Sequence, residues 1–261
     1  MNLDLSGKNA LVCGGSKGIG RAAALELAAL GANITLVARS TELLGELISQ
    51  LDSSSGQQHG FFQADFMDPE GLKNKLQALV ATKTIHILVN NAGGPPAGPA
   101  LTAQAAQFLD AFQLHLLTNH LMVQALAPGM KAAGYGRIIN VISTSVKAPI
   151  PNLGVSNTIR GAVANWAKTL ATELGPDGIT VNNVLPGYTE TERLSQLVTN
   201  WSGQRSITEE ELKAQMKKEV PLRRFAAPSE IGGVIAFLAS PAAGYITGTN
   251  ITVDGGRTGV L

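Results

Sequence analysis

Short apolar runs alternate with longer helix-patterned stretches along almost the whole chain, and that alternation leaves few folds open. Strand-type runs extend from Asn9 to Cys13, Asn33 to Ala38, Gly60 to Gln63, Ile85 to Asn90, Arg137 to Ile142, Thr180 to Leu185 and Asn250 to Val253. Between them, Ile19 to Leu30, Thr41 to Leu51, Pro69 to Ala81, Ala103 to Lys131, Leu153 to Leu174 and Ser229 to Leu238 space Ala, Leu and Val at helical intervals. Runs such as IHILVN and RIINVI are nearly continuous in apolar residues. Strands covered by helices on both faces require this, whereas a half-solvated strand would alternate. The expected class is α/β: a Rossmann-type, doubly wound parallel seven-stranded sheet with helices on both faces.

At 261 residues and 44% hydrophobic content, the chain suits one domain over residues 1–261. Residues 189–224, rich in polar helical pieces, follow the sixth strand and are expected to cover a substrate as a lid. The formal charge of +1 gives no basic footprint for nucleic acid. A single cysteine, Cys13, allows no intrachain disulfide, and no Cys/His spacing offers a metal site. Residues 1–12 carry Asp4 and too short an apolar run for a signal peptide, so a cytoplasmic location is expected. Two long uncharged windows, Ala111 to Met130 and Gly232 to Val253, are broken by His, Asn, Gln or Pro and read as buried elements instead of membrane spans.

The first strand leads through Cys13-Gly14-Gly15-Ser16-Lys17-Gly18-Ile19-Gly20 directly into a helix. Glycines there let the backbone turn sharply and approach a pyrophosphate, and a helix amino terminus offers N–H groups at the positive end of its dipole. Further along stand Asn90-Asn91-Ala92-Gly93, Pro186-Gly187 and Asp254-Gly255-Gly256. With the Gly-x-x-x-Gly-x-Gly loop, these segments resemble the short-chain dehydrogenase/reductase family over nearly the whole chain. The resemblance implies a nicotinamide cofactor held by Gly14, Ser16, Lys17, Gly18, Ile19 and Gly20. It also implies adenine contacts at Asp65 and Phe66, adenosine-side support from Asn91, Ala92 and Gly93, and nicotinamide contacts at Pro186, Gly187 and Thr189.

The second strand ends in Ala38-Arg39, where an NAD enzyme would place a carboxylate on the ribose 2′-hydroxyl. Arg39 and Lys17 could instead form charge-assisted bonds to a 2′-phosphate, which points to NADP(H).

The family's catalytic Asn, Ser, Tyr and Lys are only partly matched. Ser143 falls at the serine position, while Ser156 stands at the tyrosine position, Arg160 at the lysine and His115 at the asparagine. A serine hydroxyl sits about 4 Å nearer the backbone than a tyrosine hydroxyl, more than the reach of proton transfer. Arg160 keeps the positive charge and can bond ribose hydroxyls but cannot relay a proton at neutral pH. His115 adds an imidazole, either as a proton donor or as a packing residue on an apolar helix. Lys147 and Tyr188 are further candidates to reach the substrate.

The chain thus resembles β-ketoacyl carrier-protein reductases that lack Tyr-x-x-x-Lys. The implied reaction is NADP(H)-dependent reduction of a small carbonyl compound, 3-oxoacyl thioester-like, or the reverse oxidation of its alcohol. Ser143 would hold the carbonyl oxygen, with His115 or an ordered water giving the proton. The competing reading is a silenced NADP(H)-binding sensor or partner subunit. Family resemblance further implies a homotetramer or homodimer.

Overall fold

The computed structural model describes residues 1–260. Seven strands form one sheet in the order β3-β2-β1-β4-β5-β6-β7, every neighbouring pair parallel. They are β1 (Asn9–Cys13), β2 (Asn33–Ala38), β3 (Gly60–Gln63), β4 (Ile87–Asn90), β5 (Gly136–Val141), β6 (Ile179–Pro186) and β7 (Asn250–Val253). The expected doubly wound sheet is therefore present, and each near-continuous apolar run lies between two helical layers. Strand order reverses between β1 and β4, which opens a crevice beyond their carboxyl ends.

On one face, α1 (Gly18–Ala29), α2 (Thr41–Ile48) and α9 (Pro228–Ala239) bury Leu27, Leu44, Ile231 and Ile235 against Val12, Ile34, Leu36 and Val89. On the other, α3 (Pro69–Thr82), α5 (Thr118–Ala133) and α6 (Gly154–Leu174) cover Leu11, Leu88, Ile138 and Val181 with Leu72, Leu126 and Ala167. Local chemistry sets where several helices start. Asp68 accepts the Gly71 N–H at 3.0 Å, with Pro69 as the first helical residue, and Ser40 caps α2 through the Leu43 N–H. Gly134 ends α5 in the left-handed region at φ 61°.

The sequence reads residues 103–131 as one uninterrupted helix, but the structure divides it. A five-residue π-helical turn, Gln113–Leu117, separates α4 (Ala105–Phe112) from α5. The Gln113 carbonyl accepts from both the backbone N–H and the hydroxyl of Thr118. The same hydroxyl lies 3.0 Å from the Phe66 carbonyl, which ties the turn to the loop after β3. Such turns rotate the side chains they carry out of helical register, and this one carries His115.

On the α5/α6 face, four asparagines at matched register form a ladder across β4 to β7. Asn90 donates to Asn140 at 2.8 Å, Asn140 to Asn183 at 2.9 Å and Asn183 to Asn250 at 2.8 Å. Their register pairs them directly, strand by strand.

Beyond β6, α7 (Glu192–Arg205) and α8 (Glu209–Glu219) fold over a small core of their own. Leu194, Val198, Trp201, Leu212, Met216 and Phe225 meet there, with Leu153 from the start of α6. Among the described residues no helix is long and apolar enough to cross a membrane, and no cluster of His, Cys, Asp or Glu could hold a metal ion.

Candidate active site

The crevice beyond β1 and β4 continues into a cleft of about 770 Å³ that runs from the glycine loop to α7. Gly14 and Gly18 adopt φ of +57° and +54°, a region that costs other residues heavily. Tight packing adds a second constraint, because a Cβ on Gly14 would come within 2.6 Å of the Asn91 carbonyl. Asn91 completes the brace by donating Nδ2 to the Cys13 and Gly14 carbonyls at 3.4 and 3.3 Å. Gly20 serves from beneath: a Cβ there would lie 2.3 Å from the Gly14 carbonyl.

Helix α1 begins without a side-chain cap and without an acidic residue in its first turn. Its first N–H groups are therefore available to an anion in the cleft, which Ser16, Lys17, Gly18 and Ile19 line. Beyond β2 and β3, exposed Arg39 and Asp65 and buried Phe66 form part of the wall. Arg39 takes part in no ion pair among the described residues. Lys17 differs from the sequence expectation of a cation waiting for phosphate, because its ammonium pairs with Glu192 of α7 at 2.8 Å. The physical chemistry of the cleft, with helix N–H groups, positive-φ glycines and no carboxylate after Ala38, fits a dinucleotide with a 2′-phosphate.

The middle of the cleft gathers Ala92, Gly93, Ser143, Ser156, Arg160, Pro186, Gly187 and Thr189. Ser143 follows β5 and accepts the Ser145 N–H at 3.1 Å. Ser156 and Arg160 occupy successive turns of α6 and face the same way. Arg160 is enclosed: Nη1 donates to the Val141 carbonyl at 2.8 Å, and Nε has no partner. Burial, reinforced by the nearby Arg193 charge, brings its pKa down to about 10, which leaves it cationic at neutral pH. Thr189 is buried, its hydroxyl donating to the Gly187 carbonyl at 3.2 Å.

His115 does not reach the cleft as a proton donor. It is 3% exposed, and Nε2 has no hydrogen-bond partner. Burial above all, with the charge of Arg160, pushes its pKa down to about 2 against the pull of the Gly93 carbonyl. At neutral pH the ring is uncharged, so the imidazolium acid that position suggested is not present. Tyr188 is also committed elsewhere, since its hydroxyl donates to Glu219 at 3.0 Å and its pKa is pushed up to about 12, mostly by burial. Lys147 does not line the cleft.

Sequence reasoning missed Arg193. Its Nη2 donates to the Pro95 carbonyl at 2.6 Å, its guanidinium lies against Gly94, and it lines the same cleft as Ser143. No motif marks it, because the contact joins residues 98 positions apart.

The family model described as Enoyl-(Acyl carrier protein) reductase matches residues 14–258. This chain is a short-chain dehydrogenase/reductase. Among relatives of this short-chain dehydrogenase/reductase, a cyclohexanol dehydrogenase of Rhodococcus sp. (strain TK6) is 34% identical over 275 residues, covering 98% of each chain. A 3-oxoacyl-acyl-carrier-protein reductase of Aquifex aeolicus is 30% identical over 259 residues, covering 98% of this chain and 99% of its own. Among solved structures, L-sorbose reductase from Gluconobacter frateurii, in complex with NADPH and L-sorbose, superposes with a TM-score of 0.93 at 31% identity over 100% of both chains.

Proposed function

We propose that the protein is an NADP(H)-dependent oxidoreductase that reduces a small carbonyl compound of the 3-oxoacyl kind. One observation carries the reading: a single continuous cleft joins an anion-ready glycine loop and Arg39 to the Ser143 and Ser156 hydroxyls above the buried Arg160 cation. NADP(H), when bound, supplies or accepts the hydride. Gly14, Ser16, Gly18, Ile19 and the start of α1 hold its pyrophosphate, and Lys17 and Arg39 take the 2′-phosphate. Asp65 and Phe66 border the adenine, Asn91, Ala92 and Gly93 support the adenosine side, and Pro186, Gly187 and Thr189 border the nicotinamide.

Ser143 donates a hydrogen bond to the substrate carbonyl oxygen, and Ser156 stands where a second hydroxyl or a water it holds can do the same. Arg160 binds the nicotinamide ribose and places positive charge beneath the oxygen as negative charge develops there. The proton comes from water held at these serines, because His115 is neutral and enclosed. Losing a positioned acid costs typically about 10²- to 10⁴-fold, so turnover is slow but retained. The 189–224 segment acts as the lid, with α7 supplying Arg193, Leu194 and Trp201 to the cleft. Exposed Leu109, Phe112 and Leu117 on α4 and the π turn suit a homodimer or homotetramer interface.

NADPH absorbance with 3-oxoacyl thioesters, diketones, quinones and aldehydes tests this reading, with the S156Y/R160K double variant alongside. Oxidation of NADPH by the natural chain, abolished by Ser143→Ala, is the expected result. If only the double variant turns over while the natural chain binds NADPH, the protein is a silenced cofactor-binding subunit instead.

A further inference from the structure

The part of the cleft around Ser143 and Arg160 holds more positive charge than its neighbours balance. Arg160 is 7% exposed, with one backbone carbonyl partner and an orphan Nε. Arg193, half-buried, has only the Pro95 carbonyl. The two guanidiniums are close enough for Arg193 to depress the protonation of Arg160, and both act on His115. No carboxylate stands with them: Asp65 lies beyond β3, and Glu192, although next in sequence to Arg193, turns away onto Lys17.

Helix polarity sharpens the imbalance. Arg193 is the second residue of α7, where the dipole already favours an anion and disfavours a cation. Guanidiniums withdrawn from water without a counter-charge are costly, and a bound anion removes that cost. The cofactor's 2′-phosphate is assigned to Arg39, which follows β2, three strands along the sheet from β5 and Ser143. A planar guanidinium with an open edge fits a carboxylate bidentately.

Resting on the reductase reading above, we infer that the substrate is a keto acid whose free carboxylate pairs with Arg193, with the ketone oxygen at Ser143. In the reaction the ketone carbon gains a hydride from NADPH and its oxygen gains a proton from water, which yields a hydroxy acid and NADP⁺. The carboxylate keeps its charge throughout. Arg193 is then the residue that separates free acids from their esters and thioesters.

The test titrates 3-oxo acids of increasing length, and their methyl esters, calorimetrically into the full chain saturated with NADP⁺, and follows NADPH oxidation with the same pairs and the matching thioesters. Acids are expected to bind at least about tenfold more tightly than esters. Arg193→Gln brings that ratio towards one, and Arg193→Lys, a second check against misfolding, keeps part of it. Equal binding of acid and ester by the natural chain overturns the inference, as does an Arg193→Gln variant that weakens NADPH binding and leaves the acid preference intact. If acids bind through Arg193 but nothing oxidises NADPH, the anion site stands and the reductase reading falls. If thioesters are reduced and acids do not bind, the reductase reading stands and the anion site falls.

Discussion

Glu192→Gln should tighten NADPH binding. Glu192 Oε1 lies 2.8 Å from Lys17 Nζ, with side-chain exposures of 68% and 52%. A pair this wet is worth about 0.2–1 kcal/mol, so it adds little to stability, and losing it should leave unfolding within about 0.5 kcal/mol of the natural chain. Its effect on binding is larger in consequence, because Glu192 both occupies the ammonium and repels an incoming 2′-phosphate. Releasing about 1 kcal/mol of competition corresponds to about a fivefold lower Kd for NADPH. NADH lacks the 2′-phosphate, so its Kd should change by less than about twofold, and the gain for NADPH should shrink as salt rises towards roughly 0.5 M. Fluorescence titration of both nucleotides at low and high salt measures all of this. An unchanged NADPH-to-NADH ratio, or NADPH weakened more than NADH, would refute the competition and make the pair a fastener that holds α7 to the glycine loop.

Gly20→Ala places a methyl 2.3 Å from the Gly14 carbonyl and should abolish measurable NADPH binding by the same titration while the sheet still folds, as judged by circular dichroism. His115 binds a proton near pH 6.5 when unfolded but only near 2 when folded, so its contribution is present above about 6.5 and lost as pH falls below it. Denaturant-derived stability should therefore decline in that acid range by up to about 1.4 kcal/mol per pH unit, and His115→Asn should flatten the slope. A slope identical in both proteins would remove His115 from the account. Asn140→Ala leaves the Asn90 amide and the Asn183 carbonyl unpaired in a site of 0% exposure. The expected loss is about 2–5 kcal/mol, a Tm drop of roughly 5–15 °C in thermal unfolding.

The sheet was legible because parallel strands buried on both faces write their location as apolar runs, and IHILVN or RIINVI can hardly be anything else. The glycine loop was legible for a related reason, since positive φ and close backbone approach are demands that few residues other than glycine meet. Less was readable where the answer depends on a distant partner. Lys17 looks like a free cation until Glu192, 175 residues away, is folded against it. His115 looks like an acid until Arg160 and the core close round it, and its titration is a property of that enclosure. The π turn was not legible because it spans only the five residues Gln113–Leu117, too few to establish a period of their own between two helical stretches.

The asparagine ladder has a consequence for how this sheet can vary. Its amides run head to tail, each NH₂ donating towards β7, so that reversing one would set oxygen against oxygen on one side and donor against donor on the other. Orientation is consequently a property of the row, fixed collectively in the way stacked amides polarise one another. The same holds for identity: a side chain that cannot both give and take in that row breaks it in two places. Positions 90, 140, 183 and 250 should change together among relatives or not at all, behaving as one inherited character written in four distant parts of the chain.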